Sequence, residues 1–192
     1  MKIAVFASGT GSNFAEILES IKTKKIKNVE VVLLVSDRPE ALAVRKAINE
    51  SIPVFSFTAK DFPNKQAYEE KILEKLTQLE IDLIVLAGYM RLLGHVLLQA
   101  FDQKIINVHP SLLPAFAGKD AIGQALDYGV KVTGVTVHFV DEGMDTGQII
   151  DQRAVTIDSE ETRETLIKKI QEQEHELLPE VIQRLANQEA AE

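Results

Sequence analysis

The sequence predicts an α/β fold built on an open, mostly parallel sheet with helices on both faces. Three observations predict it. Short aliphatic runs alternate with segments of helical period over the first hundred residues; polar stops follow those runs; beyond Gly129 the period changes to strand-like alternation. Alternating strands and helices argue for right-handed βαβ units, whose ligands gather in the crevice at the strands' carboxyl ends. The expected architecture is Rossmann-like, with antiparallel strands added near the C-terminus.

Lys2 to Ala7 (KIAVFA) reads as the first strand, halted by Ser8-Gly9-Thr10-Gly11-Ser12-Asn13. Phe14, Ile17, Leu18 and Ile21 then fall at helical spacing. A second strand covers Val29 to Val35, stops at Ser36-Asp37-Arg38-Pro39, and leads to a helix from Ala41 to Glu50. Pro53 to Phe57 is a third strand, and Tyr68, Ile72, Leu76 and Leu79 mark the stripe of a third helix. Ile81 to Ala87 (IDLIVLA) is nearly continuous in aliphatic residues, as suits a strand covered on both faces. An apolar helix holds His95, and Lys104 to His109 is the next strand. Gly134 to Val140 and Gln148 to Ile157 alternate and form an antiparallel pair joined by Asp141 to Gly147 (DEGMDTG). The last helix spans Ser159 to Asn187, with Asp158 and Glu161 at capping-box spacing and Pro179 expected to kink or divide it.

The composition narrows the function. With 192 residues, 45% hydrophobic, the chain can bury one real core, and a single domain over 1–192 is expected. The opening apolar run is too short for a secretory signal, and no segment approaches the roughly 18 uninterrupted apolar residues of a membrane span. A soluble, cytoplasmic protein without a membrane partner is expected. The absence of cysteine excludes disulfides, thiolate metal sites and a Cys nucleophile. With 21 Lys and Arg against 29 Asp and Glu, a net charge of −8, the chain lacks the footprint of a nucleic-acid binder. An anionic ligand must be held by a local pocket.

Three constellations stand out. In Gly9-Thr10-Gly11-Ser12-Asn13, small residues between a strand and a helix N-terminus let backbone N–H groups converge on an anion, most naturally a phosphate. The third glycine of a dinucleotide fingerprint is replaced by Phe14, and the Walker lysine is missing. The simpler alternative is a tight turn with Ser12 or Asn13 as N-cap. In "INVHPSLLP", residues 106–114, period two puts Ile105, Asn107 and His109 on one side of a strand. An amide and an imidazole then sit together at a carboxyl end, where Pro110 and Pro114 stiffen the exit. Such a donor pair suits an oxyanion, or the two side chains form a structural corner. In Asp141 to Gly147 the calcium-loop spacing is absent. The segment is either a plain turn or a loop in which Asp145 orients a histidine and favours its charged form. His138 reads as a satisfied strand residue, His175 lies in the solvated charge run Glu172 to Glu176, and the four histidines lack metal-ligand spacing. No metal is expected.

The segments Ser8 to Asn13, Leu86 to Arg91 (LAGYMR), Asn107 to Pro114 (NVHPSLLP), and Val137 to Val140 followed by Asp145-Thr146-Gly147 occur in an order that resembles the phosphoribosylglycinamide formyltransferase family. The resemblance covers essentially the whole chain. It implies the formyltransferase fold and transfer of a formyl group from the cosubstrate 10-formyltetrahydrofolate to the amine of glycinamide ribonucleotide, in purine synthesis. By the same resemblance Asn107, His109 and Asp145 are catalytic. Gly11, Ser12, Asn13 and Glu174 would hold the ribonucleotide; Lys65, Met90, Arg91, Leu92, Leu93 and Asn107 would contact the folate, with Val140 to Asp145 around its pterin. Small molecules are thus the expected partners, with the protein a monomer or homodimer. Formyltetrahydrofolate hydrolase, methionyl-tRNA formyltransferase and a catalytically silent folate or nucleotide binder are the alternatives.

Overall fold

A computed structural model describes residues 1–191. Seven strands form one sheet: β1 (Lys2–Phe6), β2 (Glu30–Ser36), β3 (Val54–Ser56), β4 (Leu83–Leu86), β5 (Ile105–His109), β6 (Val132–Phe139) and β7 (Ile149–Thr156). Their order is β3-β2-β1-β4-β5-β6-β7. The first five are mutually parallel, while β6 runs antiparallel to β5 and β7 antiparallel to β6. The helices are α1 (Ser12–Lys22), α2 (Leu42–Asn49), α3 (Lys65–Gln78), α4 (His95–Ala100), α5 (Ala121–Tyr128) and α6 (Arg163–Glu189).

Alternation along the strands feeds two cores. Ile3 and Val5 of β1 pack with Phe14 and Ile17 of α1, Val44 of α2 and Leu178 and Ile182 of α6. Ala4 and Phe6 face the other way, onto Tyr68, Ile72 and Leu76 of α3 and Leu97 of α4. This double cover is why the strands read as continuous aliphatic runs. The sheet reverses its winding between β1 and β4, and Ser8 N–H donates to the Gly88 carbonyl at 3.0 Å across that point. The carboxyl ends of β1, β4 and β5 thus open side by side, where a doubly wound sheet binds its ligands.

Four local expectations are corrected. The cap of α1 is Gly11, in the left-handed region at φ 66°, with no side-chain hydrogen bond; Ser12 and Asn13, the alternative caps, already lie in the first turn of the helix. A Cβ at Gly11 would lie 2.8 Å from Ala43 Cβ, so glycine is also required sterically. The cap of α6 is Thr162, which exchanges hydrogen bonds with Thr165; Asp158 and Glu161 are instead drawn to Lys169. That helix runs undivided through Pro179, since Leu177, Leu178, Val181 and Ile182 around it are fully buried and their packing outweighs one missing backbone bond. Finally, α5 has no counterpart among the expected elements, although Asp120 capping the Gly123 N–H and Gly129 at φ 78° are ordinary start and stop signals.

Candidate active site

β5 delivers the pair foreseen from its alternation. Ile106 and Val108 enter the core with α1 and α6, while Ile105 faces the α3 side, so Asn107 and His109 take that side too. Antiparallel pairing sets His138 of β6 opposite Asn107, and Thr136 opposite His109. Four polar side chains from two strands therefore share one face, at the edge of the cover given by α3 and α4.

His138 Nδ1–H donates to the Phe139 carbonyl at 2.8 Å, leaving its Nε2 to accept the Asn107 amide N–H at 3.2 Å. His138 is thus the side chain that orients Asn107. The loop after β6 folds back over the same face and brings Asp145 to both histidines. Its Oδ2 lies 3.4 Å from His109 Nδ1, and its Oδ1 3.7 Å from His138 Nε2. His109 is 5% exposed, and its Nε2–H donates to the Phe116 carbonyl at 2.9 Å. Each ring nitrogen of His109 faces an oxygen. Burial pushes the Asp145 carboxyl upward, but His138, the Gly118 N–H at 2.8 Å and nearby His109 outweigh it and hold the group below its ordinary range. Asp145 is thus a fixed negative charge at neutral pH.

The exit of β5 is held by more than its prolines. Thr136 Oγ1 donates to the Ser111 carbonyl at 2.7 Å and accepts from Leu113 N–H at 3.0 Å and Gln152 Nε2 at 2.9 Å. Gln152 also donates to the Leu113 carbonyl at 2.9 Å. Thr136, fully buried, was not marked by any sequence motif. Only the register of β6 on β5 puts it there.

At α1 the first backbone N–H groups, Ser12 to Phe14, have neither an intrahelical nor a side-chain cap partner, while Ala15 N–H closes the first turn onto Gly11 O. Glu174 of α6 accepts from Asn13 Nδ2 at 3.0 Å, and burial holds its carboxyl above the ordinary range. Asn13 Oδ1 is buried without a partner. Gly11, Ser12, Asn13 and Glu174 are therefore one cluster, though 161 residues separate Asn13 from Glu174 in sequence.

After β4 the chain exposes Met90 and Leu92, 65% and 57% accessible, while Leu93 packs against the α3 core. Arg91 turns inward: its Nε donates to Asp37 Oδ2 at 2.9 Å and its guanidinium lies 5.8 Å from the Tyr68 ring centre. Lys65, at the start of α3, has its Nζ 3.8 Å from Glu69. Met144 of the 140–147 loop is 49% exposed. Among the described residues no group of three or more His, Cys, Asp or Glu side chains is placed to hold a metal ion, and no helix is long and apolar enough to cross a membrane.

The profile of the family described as formyl transferase matches residues 1–182. This chain belongs to that family. It is 53% identical to the phosphoribosylglycinamide formyltransferase of Bacillus subtilis, over 96% of this chain and 94% of that protein. It is 38% identical to the trifunctional purine biosynthetic protein adenosine-3 of Gallus gallus, over 97% of this chain but 18% of that longer protein. Among solved structures, glycinamide ribonucleotide transformylase 1 from Geobacillus kaustophilus superposes with a TM-score of 0.94 at 53% identity, covering 96% of this chain and 98% of that one. The seven-stranded sheet with its antiparallel end is thus this formyl transferase's family architecture.

Proposed function

We propose that this formyl transferase moves the formyl group of 10-formyltetrahydrofolate to the amine of glycinamide ribonucleotide, a step of purine synthesis. The observation that carries the reading is the convergence of Asn107, His109 and Asp145 on one face at the sheet's carboxyl ends, in a chain 53% identical to a phosphoribosylglycinamide formyltransferase.

The ribonucleotide phosphate caps the free N–H groups of Ser12 and Asn13 and gains from the dipole of α1. Glu174 takes up the hydroxyls of the same substrate, with Asn13 Oδ1 as a further acceptor. The folate lies along Met90 to Leu93, with Lys65 at its outer end and the 140–145 loop around its pterin. Its formyl carbon then stands over Asn107 and His109. The substrate amine attacks that carbon, and the carbonyl electron pair moves onto oxygen. Asn107 and His109 donate to this oxyanion as it forms, His109 exchanging the Phe116 carbonyl for the developing charge. The attacking nitrogen loses a proton through Asp145 and His109 to the folate N10, the C–N10 bond breaks, and the formyl group stays on the amine. No covalent enzyme intermediate forms. The negative charge of Asp145, 3.4 Å from Nδ1, holds the His109 ring in place at the oxyanion.

The deciding experiment supplies 10-formyltetrahydrofolate with and without glycinamide ribonucleotide and follows loss of the formyl group. Deformylation that depends on the ribonucleotide is expected. Equal rates in both would make the protein a formyltetrahydrofolate hydrolase.

A further inference from the structure

Two buried carboxylates with no part in the formyl chemistry hold the segment that follows β4. Asp37 directly follows β2, with its side chain 5% exposed. Its Oδ1 accepts the Ser8 hydroxyl at 2.5 Å and its Oδ2 accepts Arg91 Nε at 2.9 Å. Ser8 Oγ in turn accepts the Met90 N–H at 2.9 Å. At the far end, Glu69 of α3, 2% exposed, accepts the Gly94 N–H at 2.7 Å with Lys65 nearby. Between these two ties, Met90 and Leu92 project into solvent.

Burying a carboxylate is costly unless its oxygens are bonded; Glu69 bonds this segment at Gly94, and Asp37 bonds it directly at Arg91 and, through the Ser8 hydroxyl, at Met90. Exposed apolar side chains on an untied loop would collapse or wander. Here the backbone of residue 90, the backbone of residue 94 and the guanidinium of residue 91 are each fixed from beneath. We propose that Asp37 and Glu69 are positioning residues for the folate: they preform the Met90 to Leu93 surface, sparing the cosubstrate the cost of ordering it. The inference rests on the proposed seating of folate along that surface. Asp37 meets the ribonucleotide turn only at Ser8, ahead of the residues that would hold the phosphate, and those are anchored by other bonds: Ala43 N–H on Gly9 O at 3.1 Å, Lys46 Nζ on Gly11 O at 3.3 Å and the Asn13–Glu174 bond. Loss of either tie should therefore be felt by one substrate only.

Steady-state kinetics with each substrate varied separately test this. Asp37→Ala should raise the folate KM about tenfold while the ribonucleotide KM stays within about twofold and kcat at saturation within about threefold. Asp37→Asn keeps one acceptor and should recover part of the loss. Gly94→Ala attacks the other tie, because its Cβ would lie 2.6 Å from Glu69 Oε2 and displace the carboxylate; it too should raise the folate KM. Unchanged folate KM values, or both KM values rising alike, overturn the proposal; if Asp37→Ala does not fold, Asp37→Asn and Gly94→Ala decide it. Leu92→Asp separates the two readings. If it leaves the folate KM unchanged, the folate does not sit on this segment; if it alone raises that KM, the seating stands and the positioning role falls.

Discussion

At His109 the chain sets a carboxylate 3.4 Å from one ring nitrogen and a backbone carbonyl 2.9 Å from the other, in a site that excludes most water. His109→Ala is expected to lower kcat by roughly 10²- to 10⁴-fold, the usual worth of a positioned acid–base group, with folate affinity within a few-fold. Turnover assays and a binding titration measure the two, and unchanged turnover would remove His109 from the chemistry. Glu174 gives a pH-dependent prediction. Its carboxyl is raised by burial, so below its unfolded value, roughly pH 4.3, both states hold the proton and the group is neutral to stability. As pH climbs through the higher folded value, the fold must bury a charge and loses stability that it does not regain at neutral pH. Glu174→Gln, still able to accept from Asn13, should therefore melt higher than wild type at neutral pH, with the gain vanishing on acidification, while the ribonucleotide KM rises. Calorimetric scans across pH would detect the opposite sign. That Asn107 and His109 share one side of β5 was legible from period-two spacing alone. His138 was not, because the side chain that orients an amide across strands is visible only once the register of β5 on β6 is known.

Among the elements, the turn from Ser111 to Phe116 depends on a strand distant in sequence. Thr136→Val keeps the shape but strips the partner from the Ser111 carbonyl and the Leu113 N–H. Each buried group left unsatisfied costs about 1–3 kcal/mol. A melting temperature lower by roughly 4–24 °C is expected, at about 2–4 °C per kcal/mol for a domain of this size, together with a reduced kcat as the exit of β5 loosens. An unaltered melting curve would mean that the prolines suffice. The helix termini show why local signals misled. Asp158 and Glu161 have the right spacing for a box, yet Lys169 nearly two turns into α6 competes for both, and the less polar Thr162–Thr165 pair takes the cap. Asn13, a good N-cap by type, lies one residue inside α1, because the left-handed Gly11 takes the cap position, and its amide N–H bonds Glu174. Capping propensity is worth about 1 kcal/mol, which a tertiary hydrogen bond or ion pair matches.

Over the whole molecule, two cores lie on opposite faces of one sheet and share its backbone. Ile72 of α3 and Ile182 of α6 are both fully buried, one in each core. Truncating either to Ala should cost about 2–5 kcal/mol, and because the strands between them serve both faces, each variant should still unfold in a single transition. Two transitions by calorimetry in either variant would show the faces to be independent units. The sequence by itself determined the α/β class, the order of the strands along the chain, the double burial of β4, and the same-sided placement of Asn107 with His109. These follow from hydrophobic period and turn chemistry, which act over a few residues. Only the tertiary structure decided that Asp145 reaches His109, that Glu174 meets Asn13, and that Asp37, Glu69 and Thr136 brace the segments between. Those contacts join residues 23 to 161 positions apart, and such pairings are fixed by strand register and helix packing rather than by any pattern a short stretch of chain can carry.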